Sequence, residues 1–189
     1  MSYHKENLKE QIIDIAWEIC RTQSWQKINM RLVADKAGVS TTAFYRHFKN
    51  KTDLKAELMR RGFQKLYEGM KGSVNSDNFA SYGAHYIRFG LDYPHIYDLM
   101  FGNTDVDMSL YPDLAALSDA SFGGVVEGVK ALSPGVPEKD VMIKAYNVWA
   151  SVHGIVGILR RSNSLGKRTE TLEWIENHLE EYLEITAFA

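Results

Sequence analysis

The sequence predicts an all-α protein in two segments, a small three-helix head at the amino end and a larger helical body behind it. Three observations carry that prediction. Apolar residues recur at steps of three and four along nearly the whole chain. No stretch shows the strict alternation of a half-buried strand. Clusters of capping and breaking residues interrupt the pattern about once per helix length. With 45% hydrophobic and 24% charged residues, the composition is that of a globular protein and excludes a largely disordered one. At 189 residues the chain suffices for one compact unit or two small ones.

Leu8, Ile12, Ile15, Ala16 and Ile19 form one apolar face, which predicts a first helix over roughly residues 5–22. Asn29 then stands before Met30, Val33, Ala34 and Ala37, as an N-cap for a short second helix that stops at Gly38. Ser40 is placed to cap a third helix, 41–48, with Phe44 and Phe48 one turn apart on its inner side. Asn50 caps a fourth, 51–70, and Asp53 in its first turn complements the helix dipole. Gly72, Ser73, Asn75, Ser76, Asp77 and Asn78 form a breaker cluster. After it, Phe79, Tyr82, Tyr86, Phe89 and Tyr93 lay an aromatic stripe along one helix, which Pro94 bends. A short helix follows through Ile96, Tyr97, Met100 and Phe101 to Gly102-Asn103, and another runs from near Pro112 to Ser133-Pro134-Gly135. From 138 to 161, Val141, Ala145, Val148, Val152, Ile155 and Leu159 step by four and three, beside a second row of Met142, Tyr146, Trp149, His153 and Val156. That apolar surface is too wide for one neighbour, so two surfaces must cover it. Thr169 caps a last helix carrying Leu172, Ile175, Leu179 and Tyr182.

No apolar run approaches the roughly 20 residues of a membrane span, and the first residues lack the apolar core of a signal peptide, so the expected location is the cytoplasm. Cys20 is the only cysteine, which rules out an internal disulfide and a multi-cysteine zinc site. No metal site and no cofactor are expected. The sequence contains no G-x-S-x-G, no H-E-x-x-H and no Walker loop, so an enzyme is the poorer reading. Residues 1–61 hold 12 Lys and Arg against 7 Asp and Glu, while residues 62–189 hold 10 against 17. A basic end on an acidic body is the asymmetry expected when one segment meets phosphate and the rest must avoid it.

The turn at Gly38 between two short helices has the spacing of a helix-turn-helix, whose second helix enters the DNA major groove. That helix would expose Thr41, Thr42, Tyr45, Arg46 and His47, groups that reach base edges or phosphates. Lys49, Lys51 and Lys55 extend the positive charge, and the N-terminus of the fourth helix adds backbone N–H groups. Other roles stay open: Tyr45 packing on its own domain, His47 capping its helix, Ser40 acting as a cap first and a phosphate contact second.

Residues 30–54, reading MRLVADKAGVSTTAFYRHFKNKTDL, resemble the DNA-binding motif of the TetR family of regulators. The resemblance implies a DNA-binding domain over 1–55, a connecting helix over 51–70, and a ligand-binding and dimerisation domain over 72–189. It implies that Arg31 and Lys51 hold phosphates and that Thr41, Thr42, Tyr45 and His47 touch DNA; Asn29, Ser40 and Arg46 complete the set of candidate DNA-binding residues. Asn29 stands where the family usually has threonine. Tyr86-Ile87-Arg88-Phe89, Tyr93-Pro94, Leu99-Met100-Phe101, and Trp149 with His153-Gly154 resemble the subgroup with a WHG-type C-terminal domain.

By that resemblance the body buries a small-molecule pocket, and the last two helices of each subunit form a four-helix dimer interface. The seam Val141, Ala145, Val148, Val152, Ile155 and Leu159, with Leu172, Ile175 and Leu179, is then the expected interface. Tyr82, Tyr86, Phe89, Tyr97, Met100, Phe101, Trp149 and His153 are the pocket candidates, apolar with a few hydrogen-bonding tips. The same stripe is also what plain core looks like, and His153 is open to core, ligand and packing roles. The expected partners are double-stranded operator DNA, a second copy of the chain and a small hydrophobic or aromatic effector. The resulting function is a ligand-responsive repressor on a palindromic operator. A ligand-dependent activator uses the same parts, and an interaction module without DNA is the remoter alternative.

Overall fold

The computed structural model describes residues 3–68, 74–102 and 105–186. Of the predicted punctuation, Gly72, Ser73 and Asn103 lie outside those residues, as do 69–70 at the expected end of the fourth helix. The described residues form ten α-helices: α1 Tyr3–Thr22, α2 Met30–Lys36, α3 Thr41–Tyr45, α4 Lys51–Glu68, α5 Phe79–Asp92, α6 Pro94–Phe101, α7 Pro112–Leu132, α8 Glu138–Leu165, α9 Glu170–Asn177 and α10 Leu179–Thr186. Short 3-10 turns lie at Trp25–Lys27 and Met108–Leu110. The fold is all-α, with a helix-turn-helix head followed by a helical C-terminal domain. None of the described helices is long and apolar enough to cross a membrane.

The chain divides into two compact units, one of residues 1–64 and 93–116, the other of 65–92 and 117–189. In the first, α2 packs on both α1 and α3, and α6 packs on α1. Ile12, Ile13, Ala16, Val33, Ala34, Phe44, Phe48, Leu54 and Leu58 are all buried. Cys20 is buried as well, and burial pushes its thiol up to about 12. It stays protonated and packs as a small apolar group. Gly62 lets α6 come close, since a Cβ there would stand 2.4 Å from Met100 Sδ.

In the second unit α5 packs against α8 on one side and α10 on the other. Phe79, Val129, Val141 and Ala145 form a shared cluster of α5, α7 and α8. This arrangement buries most of the expected dimer-interface residues within the single chain. Val141, Ala145, Val152, Ile155 and Leu159 are buried within the single chain, Val148 is partly buried, and Ile175 and Leu179 of the last helices are buried too, with Leu172 partly so. The physical reason is the aromatic stripe of α5, which must itself be covered. The regular seam of α8 and the apolar rows of α9 and α10 are used inside the chain. What α8 exposes instead is Ile143, Tyr146, Ala150, Gly154, Gly157, Ile158 and Leu165.

Two helix ends also differ from expectation. The third helix stops at Tyr45, not Phe48, because its end tightens: the N–H groups of Arg46 and His47 reach back only three residues, to the carbonyls of Ala43 and Phe44. The single last helix is broken at His178, although neither glycine nor proline marks the place. His178 takes φ −132°, ψ 50°. Its Nδ1 lies 2.8 Å from the Trp174 carbonyl oxygen and its ring stacks on the Trp174 ring at 5.1 Å. A side chain that competes for the carbonyl of its own helix gives the backbone an alternative to continuing.

Candidate functional site

The helix-turn-helix is held by backbone chemistry on all sides of the turn. Asn29 Oδ1 accepts from the Leu32 N–H at 2.7 Å, and so starts α2. At its end the Gly38 N–H donates to the Asp35 carbonyl and the Val39 N–H to the Ala34 carbonyl, at 3.1 and 3.0 Å. That pair of bonds is a Schellman motif, and it needs the left-handed φ of +68° that Gly38 adopts. Ser40 Oγ then accepts from the Ala43 N–H at 3.1 Å and starts α3. Asn29 and Ser40 therefore act as caps, each with a side-chain oxygen already engaged.

The inner side of α3 is Phe44, wholly buried and 5.3 Å from the Phe48 ring. Its outer side is Thr41, Thr42, Tyr45 and Arg46, all exposed, with His47 partly so. Tyr45 is 51% exposed, with its ring edge-on to Phe44. Arg31 lies in the open and its Nε is 3.9 Å from Asp35, a loose surface pair that contributes little. Of the expected DNA-facing residues, Ser40, Thr41, Thr42, Tyr45, Arg46 and His47 belong to α3 and its ends, Asn29 and Arg31 to the start of α2, and Lys51 to the start of α4.

Lys51 belongs to the first turn of α4, where Asn50 Oδ1 accepts the Asp53 N–H at 2.9 Å. Its Nζ donates to the Trp25 carbonyl at 3.1 Å and sits 4.7 Å from the centre of the Trp25 ring. Burial, its largest influence, pulls the ammonium below the ordinary lysine range. Lys55 corrects the expected reach of positive charge. It is buried, and its Nζ pairs with Asp105 Oδ1 at 2.6 Å. On a helix one face must enter the core, and Lys55 follows Leu54 onto it. Nearby, Tyr111 donates to Asp53 Oδ1 at 2.6 Å, while Asp53 Oδ2 accepts from the Lys49 N–H. The segment from Asp105 to Tyr111 thereby pins the start of α4. Sequence reading missed Trp25, Asp105 and Tyr111, since contacts across 26 to 58 residues leave no periodic signal.

The second unit holds a partly open cavity of about 70 Å³ lined by Tyr67, Phe79, Tyr82, Gly83, Tyr86, Ala120, Ser121, Gly124, Val125, Val148, Trp149 and Val152. Its wall is almost entirely carbon. Among the expected pocket residues, Tyr82, Tyr86 and Trp149 line it. His153 stands beside it, with Nε2 3.1 Å from the Tyr86 hydroxyl and its ring 4.7 Å from Trp149. Phe89 is buried on α5. Tyr97, Met100 and Phe101 belong to the first unit, where Phe101 meets Phe63 and Tyr97. Sequence reading missed the α7 wall, whose Ala120, Ser121 and Gly124 carry little hydrophobic signal.

Burial lowers the His153 pKa below its ordinary 6.5. The unfolded chain then binds the proton more readily, so stability should fall as pH drops through the window below 6.5. Urea unfolding followed at about pH 7.5 and about pH 5.5 should show a larger loss for the natural chain than for His153→Gln. Equal losses would mean that His153 is not the group responsible.

Two family models match the sequence. Residues 12–58 match bacterial regulatory proteins of the tetR family, and residues 79–182 match the tetracyclin repressor-like C-terminal domain. A search of curated proteins gives no match. Among solved structures, the chain is similar to a protein of unknown function from Rhodococcus sp. RHA1, with a TM-score of 0.70 and 21% identity over 93% of this chain and 94% of that one. It is also similar to NalD of Pseudomonas aeruginosa, the secondary repressor of the MexAB-OprM multidrug efflux pump, with a TM-score of 0.60 and 16% identity over 97% and 96%. A TetR transcriptional regulator from Rhodococcus sp. RHA1 gives 0.55 and 18% over 95% and 96%.

Proposed function

Because the chain belongs to the TetR family of DNA-binding transcription regulators, we propose that it is a repressor that binds a palindromic operator as a homodimer and leaves it when a small uncharged effector enters the second unit. The observation that carries this reading is the division of α3 between a buried aromatic side and an outer side of hydroxyls, phenol and guanidinium. That outer side has the chemistry to read base edges, and Arg31 and Lys51 have the charge to hold phosphates. In this reading residues 1–55 read DNA, α4 connects, and 72–189 sense and dimerise.

Two copies are required because half-sites on DNA lie about 34–36 Å apart, one helical turn. The exposed face of α8 is the surface assigned to the second copy. It carries Ile143, Ile158 and Leu165 around Gly154 and Gly157, and a Cβ added at either glycine would meet nothing within 4 Å. Such a strip lets another helix approach closely. A symmetric pairing of it forms a self-complementary interface.

The effector reading follows from the cavity. A dry apolar cavity of about 150 Å³ accepts benzene, so one of about 70 Å³ takes a ring only after its wall moves. A ligand that needs the wider conformer selects it, and can shift DNA binding by no more than its preference for that conformer. The deciding experiment selects duplexes from random DNA with the purified protein, with sedimentation of the free and bound forms. Enrichment of a palindrome, two chains per site, and release by uncharged monocyclic aromatics are expected. A stable monomer, or no sequence enrichment at physiological salt, would end the proposal.

A further inference from the structure

We propose that Trp25 is a positioning residue for DNA binding: its ring and its carbonyl oxygen together hold the Lys51 ammonium in place for a phosphate. The inference rests on the reading of the first unit as a DNA-binding head and adds to it a residue outside the helix-turn-helix.

Trp25 opens the one-turn 3-10 helix Trp25–Lys27, whose C-cap, Ile28, is buried. The Trp25 carbonyl accepts from the Ile28 N–H at 3.1 Å and from Lys51 Nζ at 3.1 Å. The turn that presents Trp25 is thus tied to the core, and the next residue, Asn29, caps α2. At the other end Lys51 is the first residue of α4 and follows the capping Asn50. Both partners therefore leave fixed backbone. An ammonium 4.7 Å from the centre of an indole ring lies within the range of a cation–π attraction, for which tryptophan is the best partner.

The consequence is entropic as well as electrostatic. A free lysine side chain has rotamer entropy to lose on binding. One already held by a ring and a carbonyl has less to lose when the phosphate arrives. An ammonium has three N–H bonds, so the carbonyl bond is compatible with a phosphate contact. Partial burial of the amine supports this picture, because it strengthens each charge interaction that Lys51 makes.

The test is a double-mutant cycle on a duplex selected by the protein itself. Trp25→Leu should weaken binding about tenfold, a factor within the span of cation–π contacts, while Trp25→Phe keeps most of the affinity. In a Lys51→Met background the Trp25→Leu change should cost no more than about twofold further, since the two residues act as a pair. A purely structural tryptophan would give the same loss in both backgrounds, and that result would overturn the proposal, as would no loss in either. A readout without DNA separates this idea from the function on which it rests. The Lys51 Hε protons should resonate upfield of other lysines by NMR in the natural chain and in Trp25→Phe, and lose that shift in Trp25→Leu. If no duplex binds but the shift is present, the repressor reading fails and takes the role in DNA binding with it, while the contact of Lys51 with Trp25 stands. If the shift is absent, the clamp fails whatever the DNA result.

Discussion

Tyr45→Ala should weaken binding to a selected operator on the order of a hundredfold and leave the unfolding temperature nearly unchanged. The argument is geometric. Tyr45 is 51% exposed on the outer side of α3, and its only described ring contact is the edge of Phe44. Exposed substitutions away from special features change stability by roughly 0.5 kcal/mol or less. A lost base-edge contact costs about 1–3 kcal/mol in discrimination, and a two-fold complex loses it twice. Because the phenol is uncharged, the slope of affinity against salt should stay the same while its intercept falls. Titration of the natural and variant proteins onto one duplex at several salt concentrations checks both. An unchanged affinity would mean that the outer side of α3 is not the reading surface.

Phe44→Ala, one residue earlier, should do the reverse. Phe44 is wholly buried and its ring meets Phe48 and Tyr45. Deleting such a ring costs about 3–5 kcal/mol, the lost transfer energy plus the cavity left behind. Against a total of roughly 5–15 kcal/mol for a domain, this change should melt the first unit well before the second. Trp17 and Trp25 report on the first unit, while Trp149 and Trp174 report on the second. Fluorescence of chains keeping one pair or the other should show two separated transitions in the variant. A shift of less than about 1 kcal/mol would show that the helix-turn-helix does not depend on this ring.

The sequence makes legible the caps and the turn, which lie within a few residues of one another. Asn29, Gly38 and Ser40 have the caps and the turn that their side chains and spacing imply, because a cap is a bond between residues three apart. The amphipathic faces of α1, α5 and α8 were readable for the same reason. What periodicity could not tell was which neighbour covers a face. The seam from Val141 to Leu159 reads as fit for another copy and is largely buried within its own chain, because a stripe specifies that something apolar packs there and not what. Long-range pairs were out of reach in the same way. Lys55 reads as one more surface cation until Asp105 is found beside it, and Lys51 reads as a bare charge until Trp25 is found beneath it. The break at His178 depends on a ring bonding its own helix, which no breaker residue announces.

The hydrogen bonds that start and stop the two short helices, and the rings beneath them, use none of Thr41, Thr42, Tyr45 or Arg46 as side chains other than the edge contact of Tyr45. If the proposed function holds, folding and address are thereby written in different letters. A lineage carrying this head can acquire a new target site by changing outward letters alone, through intermediates that all remain folded, and gene duplicates can diverge in what they recognise without first surviving a loss of stability.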